Sequence, residues 1–151
     1  MSKMFGIGVY RPKTKENIGT LWRAAHLYGA SFVFTIGRRY QFQSSDTTKA
    51  WRSIPLVNYA DLTEFQSARP FDLPMVGIEL TATSTPLATY QHPSRCLYLL
   101  GAEDHGLPPD VLDVCRDVVQ VEAAQLWSMN VAMAGSLVCY SRHLQHLAVA
   151  S

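Results

Sequence analysis

At 151 residues, 48% apolar and 17% charged, the chain can bury a sizeable core and is too apolar for a disordered segment. No apolar run approaches the ~20 residues that span a bilayer, and MSKMFGIGVY lacks the long apolar core of a secretory signal. Three scattered cysteines, Cys96, Cys115 and Cys139, form no CxxC pair; they point to a reducing, cytoplasmic setting in which each is a small core hydrophobe.

Net charge is only +1, but it is unevenly spread. Residues 1–52 carry nine bases and two acids; residues 53–151 carry four bases and ten acids. A basic N-terminal third interleaved with Tyr10, Trp22, Tyr40, Phe42 and Trp51 suggests an anionic partner, single-stranded nucleic acid among the candidates. Some of those rings must belong to the core, so the signal is weak by itself, and chance clustering of bases on a solvated surface is the lesser alternative.

In chain order, FGIGVY (5–10) reads as a first strand closed by Arg11 and Pro12. Ile18, Leu21, Trp22 and Ala25 recur at helical spacing, predicting a helix from Asn17 to Tyr28 that Thr14 or Asn17 caps and Gly29 stops. SFVFTIG (31–37) is a β-branched and aromatic strand, and residues 38–53 form a polar loop or short helix. A brief strand at 56–59 and a short helix near 61–67 follow. MVGIEL (75–80) and CLYLL (96–100) do not alternate and so are strands buried on both faces. VLDVC (111–115) is a short helix behind two prolines, VVQVE (118–122) a strand, and one long helix runs from Ser128 to about Leu147.

Alternating helices and continuously apolar strands predict a single α/β domain over 1–151, its mostly parallel sheet covered by helices on both faces. Ligands of such sheets bind beyond the carboxyl ends of strands, here the loops after Leu80, Leu100 and Glu122.

Three segments can carry chemistry. In the first, Asn17, Gly19 and Arg23 lie near the start of one helix, whose free N–H groups attract anions. On spacing alone, a capped amphipathic helix with a surface arginine is the better reading. In LYLLGAEDHGLPPD, Gly101 lets backbone approach a ligand, Glu103 stands at the strand end, Gly106 permits a tight turn, and Asp104 and His105 read as solvated. In QLWSMNVAMAGSLVCY, Ser128 or Asn130 begins the last helix, and Ala132, Ala134, Gly135 and Ser136 allow close approach of another backbone or ligand.

Together, in this order and spacing, the segments resemble the TrmH (SpoU) branch of the SPOUT RNA methyltransferases. N-x-G-x-x-x-R stands as Asn17-Ile-Gly19-Thr-Leu-Trp-Arg23, G-x-E-x-x-G-L as Gly101-Ala-Glu103-Asp-His-Gly106-Leu107, and S-L-N-V-[AS] as Ser128-Met129-Asn130-Val131-Ala132. The resemblance covers essentially the whole chain and is similar in length to members that act on tRNA. It implies a C-terminal deep trefoil knot and a homodimer, with no metal and no membrane. It implies 2′-O-ribose methylation of RNA, most often tRNA, with S-adenosylmethionine as cofactor. Leu80, Thr81, Gly101, Glu103, Val121, Ser128 and Met129 would hold the cofactor. Arg23, Asn17, Glu103, Ser128 and Asn130 would serve catalysis. A guanidinium stays protonated, so Arg23 is expected to clamp phosphate and stabilise a forming alkoxide rather than act as a base. Where many relatives carry Ile-Pro-Met and a glycine, this chain has Val121-Glu122-Ala123-Ala124-Gln125-Leu126-Trp127. A differently shaped cofactor loop is the expectation, and a non-catalytic RNA-binding dimer on the same fold is the alternative.

Overall fold

The computed structural model describes residues 3–37, 53–70, 73–102, 105–125 and 128–150. The expected polar loop with Tyr40, Phe42 and Trp51 lies outside the described residues, as do Glu103, Asp104 and Trp127. The strands are β1 (Met4–Tyr10), β2 (Phe32–Ile36), β3 (Leu56–Tyr59), β4 (Met75–Ile78), β5 (Thr85–Pro86), β6 (Arg95–Gly101) and β7 (Asp117–Gln120). The helices are α1 (Lys15–Leu27), α2 (Leu62–Ala68), α3 (Pro109–Asp113) and α4 (Val131–Ala150). A 3₁₀ turn at Leu87–Thr89 follows β5.

All strands join one sheet of order β3-β2-β1-β6-β4-β7-β5, and every described strand pair is parallel. Strand β6 lies between β1 and β4, in register Tyr10↔Gly101 on one side and Ile78↔Leu100 on the other. The order therefore reverses at β1–β6, where an open parallel sheet leaves a crevice at its carboxyl edge.

The strands are apolar without alternation because both faces are covered. Phe5, Ile7 and Val9 of β1 and Cys96, Tyr98 and Leu100 of β6 face a core closed by α1 and α4. Leu97 and Leu99 turn the other way, onto Phe34, Phe65, Leu107 and Val111 beneath α2 and α3. Each aliphatic or aromatic side chain buried in this way contributes roughly 1.5–3 kcal/mol. Trp22 belongs to this core: it is 3% exposed and its indole N–H donates to the Ile54 carbonyl at 3.1 Å. It is a packing residue and is removed from the rings available for stacking on nucleic acid.

Helix α1 starts at Lys15, two residues before the first predicted position. Thr14 is its N-cap by backbone geometry, so Asn17 sits inside the first turn rather than at the cap. Helix α4 starts at Val131 rather than Ser128, because the Asn130 side chain accepts the Met133 N–H at 3.1 Å and ends the loop there. The small residues of α4 admit α1: a Cβ on Gly135 would collide with the Leu21 side chain.

Beneath the second half of α4 runs a buried polar chain. Arg142, 3% exposed, donates to the carbonyls of Pro93 (2.6 Å) and Ser94 (2.8 Å) and to the Tyr98 hydroxyl (3.3 Å), and lies 4.7 Å from the Phe5 ring centre. His92 Nδ1 is 2.6 Å from the Tyr98 hydroxyl and Nε2 is 3.0 Å from Ser141 Oγ. A guanidinium only donates, so Tyr98 accepts from Arg142. The His92 ring bridges the Tyr98 and Ser141 hydroxyls and, when neutral, donates to one of them and accepts from the other.

Burial, then the Arg142 charge, then His146 lower the His92 pKa to about 4. In the unfolded chain the ring regains its usual pKa near ~6.5. The folded value is the depressed one, so the contribution is fully present above that pH and is lost as pH falls toward 4. On the order of 2 kcal/mol of stability should disappear between pH 7 and 4, after allowance for solvent screening. Urea titrations at both pH values should show this drop in the native chain and a smaller one in His92→Gln.

Candidate cofactor pocket

The carboxyl ends of β4, β6 and β7 open into a cavity of about 650 Å³. Leu80 and Thr81 line it from the loop after β4, Gly101 from the end of β6, and Val121, Ser128 and Met129 from the connection between β7 and α4. Every expected cofactor position among the described residues thus meets in one cavity; Glu103 lies outside the described residues. A smaller cavity of about 60 Å³ adjoins it, sharing Ala102 and Val131 and lined further by Pro12, Lys13, Thr14 and Asn17.

The floor is backbone. Beyond β6 the chain turns back on itself, Ala102 pairing with Gly106, whose N–H donates to the Ala102 carbonyl at 2.9 Å. Gly106 takes φ +60°, and a Cβ on Gly101 would run into the Gly106 backbone. His105 is exposed, as anticipated, yet stands on the cavity rim.

Two carboxylates shape the walls, and neither was among the expected site residues. Glu79 accepts the Leu80 N–H through Oε1 (3.0 Å) and the Leu107 N–H through Oε2 (2.7 Å), tying the loop after β4 to the turn after β6. Its signal in the sequence is an acid interrupting the apolar run MVGIEL; β4 ends at Ile78, so Glu79 already belongs to the loop. Glu122 accepts the N–H groups of Leu87 (2.8 Å) and Ala88 (3.3 Å) at the start of the 3₁₀ turn. The acid that departs from the motif therefore fastens the 121–125 loop, work that proline performs through its fixed φ.

Asn130 Nδ2 donates to Asn17 Oδ1 at 3.0 Å, joining the first and third motifs across 113 residues. Arg23 is exposed on α1 and is not among the lining residues of either cavity. Arg11, Lys13 and Lys15 are exposed around the start of α1, and Arg11 holds a left-handed φ of 51° just before Pro12. The thiols take no part: burial pushes Cys115 up to about 11 and Cys139 up to about 12, and raises Cys96 as well.

A parallel sheet whose order reverses beside a glycine-floored, carboxylate-walled pocket defines an α/β protein with a candidate ligand pocket. The chain belongs to the SpoU rRNA Methylase family, whose model matches residues 4–140. It is 31% identical over 141 residues to the mouse (Mus musculus) tRNA (guanosine(18)-2'-O)-methyltransferase TARBP1, covering 87% of this chain and 9% of that protein. The fold is that of the SpoU methyltransferase AviRb from Streptomyces viridochromogenes, with TM-score 0.86, 22% identity, and coverage of 99% of this chain and 62% of that one. It is also that of the A. aeolicus TrmH/SpoU tRNA modifying enzyme, with TM-score 0.84, 15% identity, and coverage of 99% and 78%.

Proposed function

We propose that the chain is an S-adenosylmethionine-dependent RNA 2′-O-ribose methyltransferase acting on tRNA. The observation that carries this reading is the convergence of three loops on one cavity, lined by every described position that the family motifs assign to cofactor. The residues fit the group. A volume of about 650 Å³ suits a nucleoside-sized ligand. Gly101 and Gly106 permit the tight turn that makes the floor, since a Cβ on either would clash with the Gly106 backbone or the Glu79 carboxylate, and Glu79 and Glu122 are the right charge for a sulfonium. Bound there, S-adenosylmethionine supplies an electrophilic methyl group. Leu80, Thr81, Gly101, Val121, Ser128 and Met129 would hold it, and Glu103, outside the described residues, is expected to complete the set.

The protein's own task is to place a ribose hydroxyl in line and manage its proton. Asn17 and Asn130, already bonded to one another, position the ribose beside the pocket. Arg23 binds phosphate and stabilises the developing alkoxide; Arg11, Lys13 and Lys15 extend that contact along the RNA backbone. The tRNA activity named for the mouse relative supports the choice of substrate.

A homodimer completes the site. Met133, Leu137, Tyr140, Leu144 and Leu147 recur at alternating four- and three-residue steps on α4, each between 40% and 58% exposed. Such a stripe suits a helix-packing seam between two copies. Because Arg23 is not among the lining residues of its own cavities, it would serve the partner's. Strand β7 sits between β4 and β5, and Glu122 beyond it reaches the turn after β5. This interleaving supports the C-terminal trefoil knot. The three free thiols suit a cytoplasmic setting.

Calorimetry with S-adenosylmethionine tests the reading: micromolar-range binding is expected, and no binding would leave a non-catalytic RNA binder. In Gly101→Ala the added Cβ meets the Gly106 backbone, so affinity should fall at least about tenfold, or ~1.4 kcal/mol. Unchanged affinity in that variant would remove the turn from the binding floor.

A further inference from the structure

The charge of the pocket goes further than its shape. Among its described lining residues there is no lysine or arginine; the charged side chains are the carboxylates of Glu79 and Glu122, with His105 on the rim. Both carboxylates are held by two backbone N–H groups, but Glu122 is exposed, so water screens its charge. Glu79 is half-buried at the carboxyl end of β4, at the mouth between the two loops it joins, and Gly106 packs against its carboxylate. A half-buried carboxylate fixed by two backbone N–H groups is a negative charge that does not move away when a ligand arrives.

Resting on the cofactor reading above, we infer that Glu79 makes the pocket charge-selective, favouring the cationic sulfonium of S-adenosylmethionine over the neutral thioether of S-adenosylhomocysteine. The two ligands share their adenosine and amino-acid parts, so contacts of shape and hydrogen bonding treat them nearly alike. They differ by one methyl group and one positive charge. A fixed carboxylate acts on the charges they share equally and distinguishes them through the sulfonium, and its field is stronger in a half-buried site than in open water. The consequence is functional: the spent cofactor is held less firmly than the fresh one, and product inhibition is limited by the same residue that fastens the floor. Glu79 is a positioning and specificity-determining residue; it need not touch the reacting atoms.

The two roles separate by experiment. Binding of S-adenosylmethionine, S-adenosylhomocysteine and sinefungin, whose amine supplies a cation near the sulfonium position, is measured by calorimetry on the unaltered chain, Glu79→Gln and Glu79→Asp. Glutamine keeps one acceptor but no charge; aspartate keeps the charge on a shorter arm. Glu79→Gln should lower the ratio of S-adenosylmethionine to S-adenosylhomocysteine affinity about fivefold, with sinefungin following S-adenosylmethionine. Glu79→Asp should weaken all three ligands yet keep that ratio within about twofold. An equal loss for all three in Glu79→Gln would reduce Glu79 to a structural tie and overturn the inference. So would a Glu79→Asp ratio as low as that of Glu79→Gln. If the unaltered chain binds none of the three, the cofactor reading itself falls, and this inference with it. Should Glu79→Gln fail to fold, Glu79→Ser, which also removes the charge, is read in its place: a ratio about fivefold lower is expected, and an unchanged ratio overturns the inference.

Discussion

Arg23→Ala should lower the rate of methyl transfer at least about a hundredfold while leaving S-adenosylmethionine affinity within about twofold of the unaltered chain. The two halves of this expectation come from different observations. Arg23 is not among the lining residues of the cofactor cavity or of the small cavity beside it, so loss of its side chain should leave cofactor contacts in place. In the proposed role, a protonated guanidinium at the forming alkoxide would act as the transition state develops, which is where a loss in kcat appears. Lysine in its place restores the charge but not the planar fork, so partial rescue is expected. Single-turnover rates with saturating cofactor, alongside calorimetry, check both halves. Equal activity in Arg23→Ala would remove this residue from catalysis, and a parallel loss of cofactor affinity would make its role structural.

If the proposed dimer packs through α4, Leu144→Lys should convert it to a monomer and abolish most methyl transfer with it. Leu144 is 46% exposed in the single chain, so a lysine there can reach water and the fold should persist. In a seam between two copies the same lysine would be buried without a partner, and a cost of several kcal/mol weakens association at least about a hundredfold. Sedimentation velocity reads the assembly state, and circular dichroism confirms the fold. A variant that stays dimeric and active would place the subunit interface elsewhere than on α4.

The sheet was legible because its physics is local to each strand. MVGIEL and CLYLL lack alternation, and Met75–Ile78 and Cys96–Leu100 are buried throughout. Two-residue β5 is too short to leave a periodic signature and went unread. Helix starts were less legible. Ser128 and Asn130 are both good caps by residue type, and the choice falls to Asn130, which also bonds to Asn17 far away in sequence. At α1 the first turn is Lys-Glu-Asn, polar residues that carry no apolar period, so the helix begins before its pattern does.

The glycines and the small-residue run could be read from the motifs, because close backbone approach restricts residue type. Glu79 could not, since its value depends on where β4 stops and on the Leu107 N–H supplied from 28 residues further on. Trp22 shows the opposite error of emphasis: counted among bases as a stacking ring, it is held in the core by apolar neighbours and one hydrogen bond to Ile54. Glu122 looked like an intrusion by comparison with a proline-bearing motif. Its carboxylate instead secures the loop by bonding two N–H groups of the neighbouring turn.

The central claim is methyl transfer from S-adenosylmethionine to an RNA ribose. Purified chain is incubated with methyl-labelled S-adenosylmethionine and unmodified tRNA, and the RNA is then hydrolysed in alkali. A 2′-O-methyl group blocks cleavage at its own nucleotide, so label should appear in alkali-resistant dinucleotides and vanish with Arg23→Ala. Label confined to mononucleotides would mean methylation of a base, and no label from a chain that binds the cofactor would contradict the account.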